Sequence, residues 1–479
     1  MVEHSSQDMD PQDDTLGDVC VLGAGATGIA VARYLAACDK TRVSSVTLVG
    51  GEKSRKSDDT AQLEESGVRV VLGTEQIDDE YDLAVVSPGI PESSAFFCGA
   101  KTHAREVIGE PEFAWRESPW RWLAITGTNG KTTTTKLTQQ LLVAGGLSAK
   151  AVGNIGLVAT GEVLDRPKDE WFVAELSSFQ LATSRRLHPR VACLLNVTPD
   201  HVEWHGSLEA YADAKERVFA NLDEGDLAVV SCEDKWCRTI IERLDERGLR
   251  TCRVAVHSEP ETACAAFVRD DRLVVRLDGE EHVLVSVDSL AIKGEHNVQN
   301  ALAAAACALE VGVPDGAVSH SLMVFRPLEH RIEEVDTVGG VRYVNDSKAT
   351  NVDATIKALT AFTPGKVVVL LGGHDKGTDL NHLSRAVSAR CKAAVCYGEA
   401  GERIAQSLEE IDAQMGLDVR RVANMREATS LARELADAGD VVLLSPACSS
   451  FDEFSSFRER GTVFKELVDS LAHADGGQS

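Results

Sequence analysis

Short apolar runs alternate along this chain with longer stretches whose apolar residues recur every three or four positions. Strands alternating with helices produce that rhythm, so the pattern predicts α/β layers. The first region opens with a strand at Val19–Leu22, the turn Gly23-Ala24-Gly25-Ala26-Thr27-Gly28 and a helix through Ala37. Further strands are expected at Val46–Val49, Val68–Leu72 and Leu83–Val86. The second region starts with strand Trp122–Thr126 and helix Lys131–Ala144. Strands at Trp171–Leu176, Val191–Val197 and Leu227–Val230, a β-rich stretch over 252–292 and an alanine-rich helix at Asn297–Leu309 complete it. The third carries strands near Val341–Val344, Lys366–Leu371, Ala393–Tyr397 and Val441–Leu444, with a last helix at Phe457–Leu471. Residues 1–16 and 474–479 read as solvated tails.

Length agrees with three regions: 479 residues at roughly 150 per domain make about three domains. The boundaries fall near 110 and 328, giving domains 1–109, 110–327 and 328–479. No internal repeat or low-complexity block interrupts them.

Composition narrows the function. The net charge is −26, from 75 acids against 49 bases. That excess argues against nucleic acid or an anionic membrane surface as the main partner. An anionic substrate would need local cations and backbone N–H groups. The twelve cysteines include no CxxC pair; the tightest spacing is Cys232 to Cys237. Cys20, Cys193 and Cys448 lie in or beside apolar runs, as buried free thiols do. This predicts a reducing compartment without structural zinc. The N-terminus is acidic and lacks an apolar signal core, and no apolar run approaches the ~20 residues that span a bilayer. The expected location is the cytoplasm.

The strongest local chemistry is Thr126-Gly127-Thr128-Asn129-Gly130-Lys131-Thr132, between a buried strand and a helix. Glycines let backbone N–H groups turn towards phosphate oxygens, and the helix N-terminus adds partial positive charge. Lys131 is placed for the β- and γ-phosphates of ATP, Thr132 for Mg²⁺, and Thr133 follows in the first turn. The pattern GxxxxGK[ST] would put its first glycine at Ile125. Here it is Gly127, so the loop is two residues shorter. The alternative, a plain turn before a helix, leaves Lys131 unexplained.

Gly23-x-Gly25-x-x-Gly28 after a strand is a dinucleotide fingerprint, weak by itself. The second strand ends Val49-Gly50-Gly51, with Glu52 the nearest acid for a ribose; another pyrophosphate ligand fits equally. Ser87-Pro88-Gly89-Ile90 is a second turn at the same sheet edge, and by itself an ordinary one. Glu175 at a strand end is either a magnesium ligand or a salt-bridged acid. His201, in Asn196-Val197-Thr198-Pro199-Asp200-His201, reads first as a turn residue. Lys215 reads as a solvated helix lysine.

Five segments together resemble the Mur ligases of peptidoglycan synthesis. They are Thr126–Thr132 (TGTNGKT), Gly153–Gly156 (GNIG), Glu175–Leu181 (ELSSFQL), Gly294–Ala301 (GEHNVQNA) and Asn345–Asn351 (NDSKATN). ELSSFQL, NDSKATN, Ser87–Ile90 and Ser445-Pro446-Ala447-Cys448 look like the branch that adds D-glutamate. The resemblance runs from about residue 18 to 468. It implies three α/β domains: a Rossmann-like one for a UDP-sugar peptide precursor, a P-loop ATPase-like one with a parallel sheet, and a mobile Rossmann-like one for D-glutamate. It implies a monomer acting on small molecules through an acyl phosphate.

Residue by residue, the resemblance places Ala26, Thr27, Ser87 and Gly89 at the UDP pyrophosphate. Asn154, Ser177 and Gln180 line the muramoyl end. Lys131, Thr132, Glu175 and His201 serve the phosphates and two Mg²⁺ ions, and Lys215 matches a carbamylated lysine. Asn297, Asn300, Arg331 and Asp346 contact ATP. Lys348, Thr350, Lys376, Ser450 and Phe457 surround D-glutamate. Two positions depart from the pattern: Gly50-Gly51-Glu52 lacks polar and basic side chains for the uracil, and His374 stands where the family is more often small or acidic. The rival readings are a nicotinamide-dependent dehydrogenase, which leaves Lys131 idle, and a non-catalytic nucleotide switch, which leaves NDSKATN idle. A folate polyglutamate synthase would not need the first glycine loop.

Overall fold

A computed structural model describes residues 15–155, 157–326, 329–375, 377–412 and 416–476. Its strands form three sheets, and the fold is α/β as the sequence pattern predicts.

The first sheet holds β1 (Gly17–Leu22), β2 (Val43–Val49), β3 (Arg69–Val71), β4 (Tyr81–Val86) and β5 (Ala104–Gly109), in the order β3-β2-β1-β4-β5. All its pairings are parallel. The order reverses between β1 and β4, so a crevice opens beyond their carboxyl ends, where ligands bind in such sheets. The expected N-terminal tail is shorter than 16 residues: the Leu16 N–H already donates to Arg42 O at 2.8 Å.

The second sheet holds β6 (Trp122–Thr126), β7 (Ala149–Gly153), β8 (Trp171–Glu175), β9 (Val191–Leu194), β10 (Leu227–Ser231), β11 (Thr251–Ala255), β12 (Ala265–Arg269), β13 (Arg272–Leu277) and β14 (Glu280–Ser286). Their order is β14-β13-β12-β11-β10-β9-β6-β8-β7. The last three form an antiparallel extension in the β-rich stretch; the rest is parallel. All five residues of β6 are buried, as a strand covered on both faces requires. It lies between β8 and β9, where this sheet's order reverses. The strand expected over Val191–Val197 stops at Leu194, because Asn196 turns its side chain to the neighbouring loop.

The first two sheets share one compact unit and one apolar cluster, running from Val19 to Leu244. Helix Glu110–Glu117 follows β5 and joins the two with buried acids. Glu110 accepts from the Thr160 N–H and hydroxyl, each at 2.8 Å. Glu117 takes both guanidinium nitrogens of Arg42, at 2.7 and 2.8 Å, and the Tyr34 hydroxyl at 2.5 Å. A carboxylate buried this way is satisfied by charge-assisted hydrogen bonds.

The third sheet belongs to a second unit, 291–296 with 326–479. It holds β15 (Glu333–Val338), β16 (Val341–Asn345), β17 (Val367–Gly372), β18 (Cys391–Tyr397), β19 (Asp418–Arg421) and β20 (Val441–Ala447), in the order β15-β16-β20-β17-β18-β19. Only the β15–β16 pair is antiparallel. The last helix runs Phe457–Gly476, past the expected end at Leu471. All twelve cysteines are free thiols, with Cys20, Cys193 and Cys448 buried as expected. No described helix is long and apolar enough to cross a membrane.

Candidate active site

The loop after β6 turns on two glycines with positive φ, Gly127 at 151° and Gly130 at 85°. A Cβ on Gly130 would lie 2.4 Å from Asn300 Oδ1, so only glycine fits there without displacing Asn300. The helix Lys131–Ala144 begins at once, with no side-chain cap, leaving its first N–H groups to the loop's concavity. Asn196 fixes the loop with both ends of its amide: Oδ1 accepts from the Asn129 N–H at 2.9 Å, and Nδ2 donates to Asn129 O at 3.0 Å. The Thr128 N–H donates to Asn196 O at 2.9 Å, and Thr128 Oγ1 lies 3.1 Å from the Tyr211 hydroxyl. Lys131 folds over the loop, donating to the carbonyls of Gly127 and Thr128 at 2.9 Å each. Thr132 is half-buried beside it and Thr133 buried behind it.

Lys215 corrects the sequence reading of a solvated lysine. It is 1% exposed, on helix Leu208–Glu216, and its amine donates to Gly127 O at 2.8 Å. Burial, and then the ammonium of Lys131, push it well below the ordinary lysine value; Asp200 and Glu175 oppose that less strongly. A buried amine of that kind is neutral far more readily than a surface lysine, and only the neutral amine is nucleophilic.

Glu175 ends β8, buried, and has no salt bridge among the described residues. Oε1 accepts from the Asn154 amide at 2.8 Å, while Oε2 has no hydrogen-bond partner there. A buried carboxylate oxygen without a donor is of the chemistry that could hold a hard cation. The Glu175 oxygen therefore fits a divalent metal as one ligand. His201 is indeed at a turn, with φ at 52°, and its N–H donates to Asp200 Oδ1 at 3.0 Å. Asn300 Nδ2 donates to Asn297 Oδ1 at 3.1 Å, which places both beside the loop at Gly130. Ser177 and Gln180 are committed to one another. Their side chains form a reciprocal cap on helix Ser178–Ala182, with Ser177 Oγ accepting from the Gln180 N–H at 3.2 Å and Gln180 Oε1 from the Ser177 N–H at 2.9 Å.

The first glycine loop sits at the crevice of its sheet. Gly23 has φ at 96°, and a Cβ on Gly28 would lie 1.8 Å from Gly23 O. Helix Ala26–Ala37 starts uncapped at Gly25, with Ala26 exposed and Thr27 half-buried at its mouth. The turn after β4 faces it: a Cβ on Gly23 would lie 2.8 Å from Ser87 Oγ. Ser87 Oγ is buried without a hydrogen-bond partner among the described residues, and Gly89 is exposed on the same turn. Glu52 is exposed at the end of β2.

In the second unit, the segments after β16 and β20 meet, because those strands are neighbours. Asp346 is buried, accepts from the Ser445 hydroxyl at 2.8 Å and the Ile332 N–H at 3.3 Å, and is pushed up to about 7, chiefly by burial. Arg331, next to Ile332, favours its charged form. The Lys348 ammonium lies 4.0 Å from the centre of the Phe457 ring, a cation–π contact. The Thr350 N–H donates to Lys348 O at 2.9 Å, and Ser450 is buried after β20. His374 pairs with Glu399 at 2.6 Å. Lys376 and Gly156 lie outside the described residues.

Three supporting residues carried no role in the sequence reading: Asn196, Tyr211 and Arg460. Arg460 is 1% exposed and donates to Ser347 Oγ, Ser347 O and Cys448 O at 3.0, 2.9 and 3.1 Å, tying the segments after β16 and β20 together. Its spacing from Phe464 and Phe457 puts it on the buried stripe of its helix, which was the available signal.

The Mur ligase middle domain matches residues 125–308, and the Mur ligase glutamate ligase domain matches residues 330–448. A UDP-N-acetylmuramoylalanine--D-glutamate ligase from Koribacter versatilis is 38% identical over 460 residues, 95% of this chain and 98% of that one. The protein of the same name from Pelotomaculum thermopropionicum is 38% identical over 463 residues, 96% of this chain and 99% of that one. A crystal structure of MurF from Acinetobacter baumannii shares the fold at a TM-score of 0.60 and 16% identity, over 95% of this chain and 93% of that one. The chain therefore belongs to the Mur ligase family, on the branch of its UDP-N-acetylmuramoylalanine--D-glutamate ligases.

Proposed function

We propose that this chain joins D-glutamate to UDP-N-acetylmuramoyl-L-alanine in the cytoplasm, consuming ATP and releasing ADP and phosphate. The observation that carries the reading is the cluster at the second glycine loop: Lys131 on the loop, the buried Lys215 amine 2.8 Å from Gly127 O, and the unpartnered oxygen of Glu175. An amine does not attack a carboxylate usefully, because the anion resists attack and oxide is a poor leaving group. Transfer of the γ-phosphoryl group to the precursor's carboxylate gives an acyl phosphate. The amine then adds to the carbonyl, and phosphate leaves from the tetrahedral species. Both steps gather negative oxygens in one place, and Lys131 with the uncapped first N–H groups of helix Lys131–Ala144 offsets them.

Thr132, Glu175 and His201 are the residues that would hold Mg²⁺ at two sites, and the ions supply charge neutralisation along the phosphates. Lys215 joins this set as a carbamate. Its neutral amine takes up CO₂ and sheds a proton, which converts a cation into an anion. One N–H remains to donate to Gly127 O. Asn297 and Asn300 face the adenosine of ATP, and Arg331 and Asp346 are further positions for ATP contact. Ala26, Thr27, Ser87 and Gly89 hold the UDP pyrophosphate, and Asn154, Ser177 and Gln180 the muramoyl end. Lys348, Thr350, Lys376, Ser450 and Phe457 receive D-glutamate. In this reading the three domains take one substrate each, and the enzyme works as a monomer.

The test is phosphate release with ATP and UDP-N-acetylmuramoyl-L-alanine while D- and L-amino acids are scanned. Release should require D-glutamate. Release that requires another amino acid, or none, overturns the reading.

A further inference from the structure

Beside the phosphate loop, the His201 ring belongs to a cluster with four other aromatic rings from three short segments. Phe179 comes from helix Ser178–Ala182, Trp204 and His205 follow His201 in helix Val202–His205, and Tyr211 lies in helix Leu208–Glu216. The Phe179 ring lies 4.8 Å from that of His201, 4.7 Å from that of Trp204 and 5.6 Å from that of His205, parallel to the last within 7°. Trp204 and His205 are 4.4 Å apart, and Tyr211 sits 5.2 Å from His205 and 6.3 Å from His201. The cluster is tied down at both ends. His205 Nε2 is 2.9 Å from the hydroxyl of the buried Ser178, and the Tyr211 hydroxyl is 3.1 Å from Thr128 Oγ1 on the phosphate loop.

His201 needs such support. Its φ of 52° is a left-handed conformation that a non-glycine residue holds where its surroundings impose it. Its side chain is 35% exposed, so burial alone does not fix the ring. Phe179 closes one side of it and Tyr211 another, and His205 stacks behind Phe179.

We propose that Phe179 and His205, with Trp204, are positioning residues that aim the His201 imidazole at its metal. This rests on the reading of His201 as a metal ligand. Groups that orient a ligand typically change metal affinity about 10–100-fold when removed. The probe is Mn²⁺, its binding to the full chain with ADP followed by electron paramagnetic resonance. Phe179→Leu should weaken Mn²⁺ binding about tenfold, and Phe179→Tyr should restore it. In a His201→Ala background, Phe179→Leu should have no further effect, since the brace then has nothing to aim. His205→Gln is the second probe should Phe179→Leu fold poorly, with the same expectation. Unchanged Mn²⁺ affinity in both variants, beside a loss in His201→Ala, overturns the brace alone. An equal loss with and without His201 also overturns it, since that is general loosening. Unchanged affinity in His201→Ala removes the ligand assignment itself.

Discussion

The chain contains two glycine loops at matching places in their sheets, with different turns and very different surroundings. Each follows a strand at the reversal point of its sheet and opens an uncapped helix; the first turns on one positive-φ glycine, Gly23, and the second on two, Gly127 and Gly130. Both therefore present uncapped helix N-termini, a setting that favours anions. The first, Gly23 to Gly28, has no charged residue, and its facing group is the Ser87 hydroxyl. The second carries Lys131, has Lys215 buried beneath it and Glu175 on the neighbouring strand. Backbone geometry suffices to hold a pyrophosphate that does not react. Moving a phosphoryl group needs charges that can follow the electrons. Under the proposed function, the contrast gives holding to the first loop and chemistry to the second.

The sharpest way to break the contrast is to remove the charge from the second loop. Lys131→Ala should lower D-glutamate-dependent phosphate release by at least about a hundredfold, the scale of losing one donor to a developing oxyanion. Calorimetric binding of UDP-N-acetylmuramoyl-L-alanine should stay within about twofold of the parent, since 1.4 kcal/mol is needed for tenfold. Retained turnover would dissolve the distinction between the loops.

Lys215 comes next. Lys215→Ala should cost about 10–100-fold in rate, and an excess of formate or acetate should return part of it, because a small carboxylate can replace the carbamate. Rescue indifferent to carboxylate would count against that role. The pH sign is also fixed. The folded chain holds the Lys215 amine well below its ordinary value of 10.5, so between the two values the unfolded chain binds more protons. In bicarbonate-free buffer the penalty of burying the cation is full below the folded value and is lifted as pH rises towards the ordinary one. The excess in melting temperature of Lys215→Met over the parent should shrink across that window. An excess constant with pH would show that the amine is not the source.

Whether the first loop is a pure backbone cradle can be tested at its tightest point. A Cβ at position 28 meets Gly23 O at 1.8 Å, so Gly28→Val must push the helix away from the turn. The KM for the UDP precursor should rise at least about tenfold, while KM for ATP stays put. Equal changes in both would mean that the two sheets respond as one body.

Much of this contrast was legible in the sequence, for reasons particular to these segments. The strand Trp122–Thr126 and helix Lys131–Ala144 match expectation to the residue, because the strand is buried along its length and glycines flank the helix at both ends. The strands that the pattern did not announce are β5, β7, β15 and β19, and each lies at an edge of its sheet. Edge strands need little apolar character: β19 reads Asp418-Val419-Arg420-Arg421, and β15 begins Glu333-Glu334. The depth of Lys215 was overlooked rather than hidden. It lies four residues after Tyr211 and three before Val218, both buried, so helical spacing already put it on the apolar stripe. No spacing rule could have paired Asn196 with Asn129, or left Glu175 Oε2 without a donor. Those facts depend on strands 50 to 70 residues apart becoming neighbours.

The smallest expected effect is also the most discriminating for the first loop. Ser87 Oγ is buried with no hydrogen-bond partner among the described residues, which destabilises the chain unless a ligand supplies one. If its partner is the pyrophosphate, Ser87→Ala should act with opposite signs on stability and binding. The ligand-free variant should melt at the same temperature as the parent or slightly above it, since an unsatisfied hydroxyl has been removed. Its KM for UDP-N-acetylmuramoyl-L-alanine should rise about threefold to tenfold, the worth of one hydrogen bond to a charged group. Thermal shift and initial rates on the same preparation decide the matter. A lower melting temperature with an unchanged KM would make Ser87 a structural residue of the turn and leave the first loop to bind by backbone alone.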